Sequence, residues 1–266
     1  MIAEEGKTPV TERYMDKEKV ARSFLRGMET YDQHAKVQQK IGRVLIEMLG
    51  NYPKMRFDRV LEIGCCTGTM TEMFLKKHPA GTLYLNDLVP EFYEIVRRRF
   101  TGSANTVFEP LFGDVERVEL PSGLDLVLSG STLQWLDDLP GFFKKIVKAL
   151  HDDGYLAFTI FGPGTLSEFR QLTGVGLQYI PLGQVLDLLK EDFVLEFVDT
   201  EKHQLFFTSP RDVLRHLQAT GVGGAGQFRW TGSTLKKFES DYSRCFGTAA
   251  GVPVTYVTSY VIASRK

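Results

Sequence analysis

Twelve residues, RVLEIGCCTGTM at 59–70, constrain this chain most. An apolar run, Val60-Leu61-Glu62-Ile63, stops at Gly64 and gives way to small residues ending at Gly68. The pattern predicts a buried strand, a tight loop and then a helix. Glycine at the strand exit permits backbone torsions closed to other residues, and a second glycine lets the helix start close to whatever covers the loop, so the loop reads as built for approach of backbone to a ligand. In an open α/β sheet, nucleotides sit in the crevice outside the carboxyl end of such a strand. Glu62, an acid at the end of an apolar strand, needs a positive or hydrogen-bonding partner there. The plain alternative is an ordinary strand-turn-helix with two convenient glycines.

The spacing argues against a dinucleotide, which would want G-x-G-x-x-G in this turn; Cys66 stands where the second glycine should be. Glu-x-Gly-x-x-x-Gly after a strand instead resembles motif I of the class I S-adenosylmethionine-dependent methyltransferases. The usual loop of that family is G-x-G-x-G, and Cys66 departs from it. The resemblance implies that Glu62, Gly64, Cys65 and Gly68 surround S-adenosyl-L-methionine, with S-adenosyl-L-homocysteine as product.

The 266 residues suffice for one large α/β domain with an excursion. A net charge of -1 gives no sign of nucleic-acid or membrane binding, and 43% hydrophobic residues are those of a soluble globule. Three cysteines, two of them adjacent, make neither a disulfide framework nor a metal site, and they suggest a reducing compartment. The charged start of the chain lacks the apolar core of a signal peptide, and no run reaches membrane-span length. The expectation is a cytoplasmic protein.

Residues 1–17 read as loosely ordered, and apolar residues recur at helical spacing in two blocks between 18 and 50. Alternating strands and helices follow up to Phe161, which predicts a parallel, doubly wound sheet. Candidates for its sixth and seventh strands are Phe193 to Phe207 and Tyr256 to Ser264. The family resemblance implies that both run antiparallel, giving a Rossmann-like, seven-stranded, mostly parallel sheet with a helical lid inserted at 208–250. Ser209-Pro210 is a good start for the first lid helix, and a second runs from about Ser233 to Phe246. Gly221, Gly223 and Gly226 spell G-x-G-x-x-G, but they follow a helix and precede Phe228-Arg229-Trp230. The context of a nucleotide loop is absent, and the stretch reads as a hinge.

Several strand ends carry candidate site residues. Asp87, roughly 20 residues past the glycine loop, stands where ribose hydroxyls are held, or caps the helix after Pro90. Asp114, in Gly113-Asp114-Val115, is by composition an ordinary turn aspartate; the resemblance implies that it accepts from an adenine amino group while Leu88 and Val115 pack on the ring. Ser129 ends the fourth strand beside the donor. Tyr31, in the Y-x-x-x-A-x-x-Q run ending at Gln38, resembles the tyrosine that folds over cofactor and substrate carboxylate in methyltransferases of small acids and quinones; packing on an amphipathic helix is its rival reading. Gln134 and Trp135 resemble the segment of carboxyl methyltransferases of the trans-aconitate type and of the biotin pathway, although Trp135 also suits a plain core.

YDQHAKVQ, LEIGCCTG, LND, GDVE, LQWL, FGPGTLSEF and SPRDVLRHLQATG together resemble the malonyl-acyl carrier protein O-methyltransferases of biotin synthesis, from about residue 20 to the end. The resemblance implies an acyl carrier protein partner bearing malonyl-phosphopantetheine, whose free carboxylate is methylated. Such a carboxylate is ionised at neutral pH and needs no general base. Recognition is expected from Tyr31, Gln134 and Trp135, with Phe161 and at most one of Arg170, Arg211 and Arg229; these arginines are alternatively contacts to the pantetheine phosphate or plain surface charges. The rivals are a methyltransferase of a free small acid or quinone-like molecule, and a non-catalytic cofactor-binding partner subunit.

Overall fold

The computed structural model describes residues 15–52, 57–100, 105–221 and 228–266. Three helices lead in: α1 (Lys17–Gly27), α2 (Tyr31–His34) and α3 (Lys36–Leu49). Asp16 starts α1 by accepting from the Lys19 amide at 2.9 Å. Strands and helices then alternate as β1 (Phe57–Ile63), α4 (Thr69–Lys77), β2 (Ala80–Asn86), α5 (Phe92–Arg99), β3 (Val107–Pro110), β4 (Leu124–Gly130), α6 (Leu139–Ala149) and β5 (Leu150–Phe161). After α7 (Ser167–Thr173) and α8 (Leu182–Leu189) comes β6 (Phe193–Phe207). The chain then forms α9 (Pro210–Ala219) and α10 (Gly232–Phe246) before returning as β7 (Val252–Arg265). Ser209 caps α9 with Pro210 in its first turn, and the expected second helix is α10. Gly223 and Gly226 of the proposed hinge, like residues 1–14, lie outside the described residues.

The seven strands are ordered β3-β2-β1-β4-β5-β7-β6. The first five are parallel, β7 pairs antiparallel to β5, and β6 pairs antiparallel to β7. Only β7 therefore runs against the rest. That corrects the expectation, taken from the family resemblance, of two reversed strands: β6 pairs antiparallel to the reversed β7 and so runs with the first five.

Side chains of β1 leave alternately for two apolar layers. Val60 joins a cluster with Leu126 and Ala157 beneath α3, α4, α9 and α10, whereas Leu61 and Ile63 join Val127, Leu156 and Phe158 beneath α6 and α8. Burial on both faces explains why this strand reads as a continuous apolar run. No helix among the described residues is long and apolar enough to cross a membrane.

Candidate active site

The loops at the carboxyl ends of β1 to β5 enclose an open cavity of about 980 Å³, its mouth included. Gly64, at the exit of β1, has φ +73°, and a side chain there would place its Cβ 2.0 Å from Thr132 Oγ1. At Gly68, φ +78°, an added Cβ would meet Phe100 and Val96 at 3.1 and 3.3 Å. Both glycines thus answer to packing by neighbouring elements as much as to any ligand. Cys66 also takes a left-handed φ of 48°, a strain its amide offsets by donating to Asp87 Oδ2 at 2.8 Å.

Asp87 is 8% exposed, and its second oxygen accepts from the Val89 amide at 2.9 Å. Burial pushes its carboxyl up to about 6 against the pull of the Val89, Cys66 and Leu88 amides. It closes a turn onto Val89 and lines the cavity, but it does not cap the helix after Pro90: the N-cap of α5 is Glu91, with no side-chain cap. Leu88, Asp114 and Val115 line the cavity with Asp87. Asp114 Oδ1 accepts from the Glu116 amide at 3.1 Å and faces Lys17 Nζ at 3.6 Å, while Lys17 also reaches Glu116 Oε2 at 2.6 Å. Sequence reasoning missed Lys17, because nothing local links it to a loop about a hundred residues away.

Glu62, Cys65, Gly68 and Ser129 are not on the wall of this cavity, though Cys65 lines a smaller cavity beside it. Glu62 accepts from Thr71 Oγ1 at 2.5 Å, and its Oε1 has no hydrogen-bond partner among the described residues. Burial pushes its carboxyl up to about 8. Ser129 Oγ donates to the Ile63 carbonyl at 3.2 Å and ties β4 to β1.

Tyr31, Gln134, Trp135 and Phe161 line the same cavity as Asp87. The Trp135 ring is met edge-on by Phe24 from α1, centroids 5.7 Å apart. Gln134 is largely committed: its Nε2 donates to the Ser131 carbonyl at 2.5 Å and its Oε1 accepts from the Phe161 amide at 3.4 Å. It shapes the wall that Trp135 and Phe161 present. Tyr31 is a neutral phenol, its pKa raised first by burial and then by Cys66, Asp87, Asp32 and Tyr256. Gln38, on the wall shared with a neighbouring cavity of about 450 Å³, has a buried Oε1 with no partner among the described residues.

None of the three candidate arginines lines this cavity. Arg211 pairs with Glu239 on α10, and Arg229 is exposed. Arg170 donates to the carbonyl of Leu177 at 3.3 Å and so braces the wall from behind. A different arginine matters. Arg99, from the basic run 97–99, donates to Asp32 Oδ2 at 2.7 Å and to the Thr67 carbonyl at 2.8 Å. Burial raises the Asp32 carboxyl, but hydrogen bonds from Thr67, Arg99 and Thr69 outweigh it and hold the group below its ordinary range. This knot fastens α2, and with it Tyr31, over the glycine loop. Arg99→Ala is expected to weaken cofactor binding by roughly tenfold and stability by about 1 kcal/mol, measured by calorimetry and urea denaturation; unchanged affinity would show that the knot leaves Tyr31 where it is.

Residues 61–158 match the family model described as a methyltransferase domain. The malonyl-acyl-carrier-protein O-methyltransferase of Prosthecochloris aestuarii is 36% identical over 248 residues, 92% of each chain. The chain belongs to that family. The enzyme of the same name from Chlorobium phaeovibrioides is 37% identical, over 94% of this chain and 97% of its own. In fold, the YcgJ protein of Bacillus subtilis matches 84% of this chain and 97% of its own, with a TM-score of 0.60 and 12% identity. The phosphoethanolamine N-methyltransferase 2 of Haemonchus contortus, solved with S-adenosyl-L-methionine, matches at a TM-score of 0.50 and 19% identity, over 84% of this chain and 52% of its own. The methyltransferase fold of the family is thus present with its seven strands in place. Among the described residues, no group of three histidines, cysteines or acids is placed to hold a metal.

Proposed function

We propose that this methyltransferase transfers the methyl group of S-adenosyl-L-methionine to the free carboxylate of a malonyl thioester carried on acyl carrier protein, an early step of biotin synthesis. The observation that carries the reading is that one cavity is lined both by acids, Asp87 and Asp114, and by aromatic and apolar groups, among them Phe24, Trp135, Phe161 and Leu166. The residues fit the donor. Asp87 offers ionised oxygens to ribose hydroxyls, Leu88 and Val115 offer apolar surface to a base, and the orphaned Gln38 oxygen offers an acceptor to a donor group. Bound there, S-adenosyl-L-methionine supplies an electrophilic methyl on a positively charged sulfur.

The chain's own part is to hold the nucleophile and to keep water out. A malonyl carboxylate is ionised at neutral pH, so no base is required; among the described residues that line the cavity there is no histidine. Phe24, Trp135, Phe161 and Leu166 wall the acyl end, and a dry wall leaves the carboxylate less hydrated and more reactive. Tyr31, kept neutral, donates to an anion without blunting it as a guanidinium would. Helices α9 and α10, between β6 and β7, act as the lid, and Thr220 just after α9 closes one side of the cavity.

The test is incubation with methyl-labelled S-adenosyl-L-methionine and malonyl-acyl carrier protein. Label on the carrier that mild base releases as methanol, absent with acetyl-acyl carrier protein, is the expected outcome. Faster labelling of free malonate than of the carrier-bound form would overturn carrier dependence, and cofactor binding with no transfer to any acid would point to a non-catalytic subunit.

A further inference from the structure

The acyl end contains one polar arrangement that no motif carries. Tyr256 lies near the start of β7, and β5 ends beside that strand, with Phe161 paired to Thr258. From β2 to β7 is four strand spacings, about 19 Å, so Tyr256 stands across the cavity from Asp87. It is 1% exposed, it lines the cavity, and its ring packs on Phe161 with centroids 5.4 Å apart. Its hydroxyl lies 2.7 Å from Nε2 of His216, a buried residue of α9. Thr220 is beside the same hydroxyl, but its own hydrogen goes to the His216 carbonyl at 2.9 Å.

A buried phenol and imidazole can share hydrogens in two ways. If Tyr256 donates to Nε2, its oxygen offers only lone pairs to the cavity. If Nε2–H donates to the Tyr256 oxygen, the phenolic hydrogen is left for whatever the cavity holds. His216 is neutral at physiological pH, its pKa lowered to about 4 by burial and then by His34, so it carries one ring N–H and can serve as the donor. An anionic carboxylate is a far stronger acceptor than the neutral hydroxyl of Thr220, and an anion in this apolar wall needs such a donor.

We propose that Tyr256 is a specificity-determining donor to the malonyl carboxylate, and that His216, by donating its Nε2–H to the Tyr256 oxygen, is the positioning residue that turns the phenolic hydrogen into the cavity. This rests on the proposed substrate. One carboxylate oxygen accepts from Tyr256, and the other is left to attack the methyl. The arrangement also gives the lid a part in recognition: α9 carries the imidazole that aims a donor mounted on the sheet.

The experiment compares wild type, Tyr256→Phe, His216→Leu and His216→Gln in steady-state assays with malonyl-acyl carrier protein, alongside calorimetric titration of S-adenosyl-L-homocysteine. Tyr256→Phe keeps the ring on Phe161 and removes only the hydroxyl; it should lower kcat/KM by roughly 10- to 100-fold while cofactor affinity stays within about twofold. His216→Leu should fall by a similar factor, and His216→Gln, whose side-chain amide can donate in place of the ring, should recover most of the loss. A Tyr256→Phe enzyme within twofold of wild type overturns the inference alone. Equal losses in His216→Leu and His216→Gln overturn the positioning role. A wild type inactive on malonyl-acyl carrier protein overturns the substrate reading and the inference together.

Discussion

Asp87→Asn is expected to weaken S-adenosyl-L-homocysteine binding at pH 8 by about 100-fold, a loss of about 3 kcal/mol. The two oxygens of Asp87 each accept from a backbone amide, Cys66 and Val89, and the lone pairs left over face the cavity. An amide in their place has one accepting oxygen, and its NH2 group is forced against one of those N–H groups. The variant loses an ionised acceptor for the ligand and unsettles the loop that presents it. A pH signature separates this from general damage. Burial pushes the carboxyl from its ordinary 3.8 to about 6, and only the ionised form accepts two hydroxyl hydrogens, so wild-type affinity should fall as pH drops through about 6. The Asn variant should show no such step. The stability of the ligand-free protein should run the other way: with the folded pKa above the unfolded one, this group's contribution is fully present below about 3.8 and is lost as pH rises through about 6. Calorimetric titrations from pH 5 to 8 would expose a flat wild-type profile, which would remove Asp87 from the cofactor site.

Gly64→Ala is expected to cost about 3 kcal/mol or more in urea denaturation and to abolish cofactor binding. Two terms add. The left-handed torsion, φ +73°, costs an alanine about 1–2 kcal/mol. The new Cβ would meet Thr132 Oγ1 at 2.0 Å and the Thr132 Cβ at 2.9 Å, an overpacking worth about 1–3 kcal/mol. Adding Thr132→Gly removes the second term and leaves the first, so the double variant should regain roughly half of the lost stability. Full recovery would show that torsion is unimportant at this exit, and no recovery that the clash is relieved by other means.

The fold was legible because its signals are local. A strand that ends in glycine, a Ser-Pro helix start and an Asp at each of two strand ends can be read within a window of a few residues. The site was legible only where it coincides with such signals, as at Gly64, Asp87, Tyr31 and Trp135. Its remaining parts are contacts between distant segments: Arg99 with Asp32, Lys17 with Glu116, His216 with Tyr256. Each member alone looks like a surface charge or a core aromatic, and only the folded chain supplies its partner. The candidate arginines were chosen from sequence position alone, and none of them lines the cavity. The direction of β6 was hidden because strand periodicity is the same read either way.

The β6–β7 pairing runs from Phe193 opposite Arg265 to Phe207 opposite Val252. In topological terms α9 and α10 are the loop of one long hairpin, and its stem fixes both ends of that loop side by side at the sheet. A segment so anchored can be exchanged as a cassette, together with the apolar residues by which it rests on the core, without shifting the register of the strands. The proposed donor site, formed by the loops after β1, β2 and β3, shares none of that cassette. Acceptor choice and methyl-donor chemistry can therefore diverge along separate evolutionary paths within a single domain.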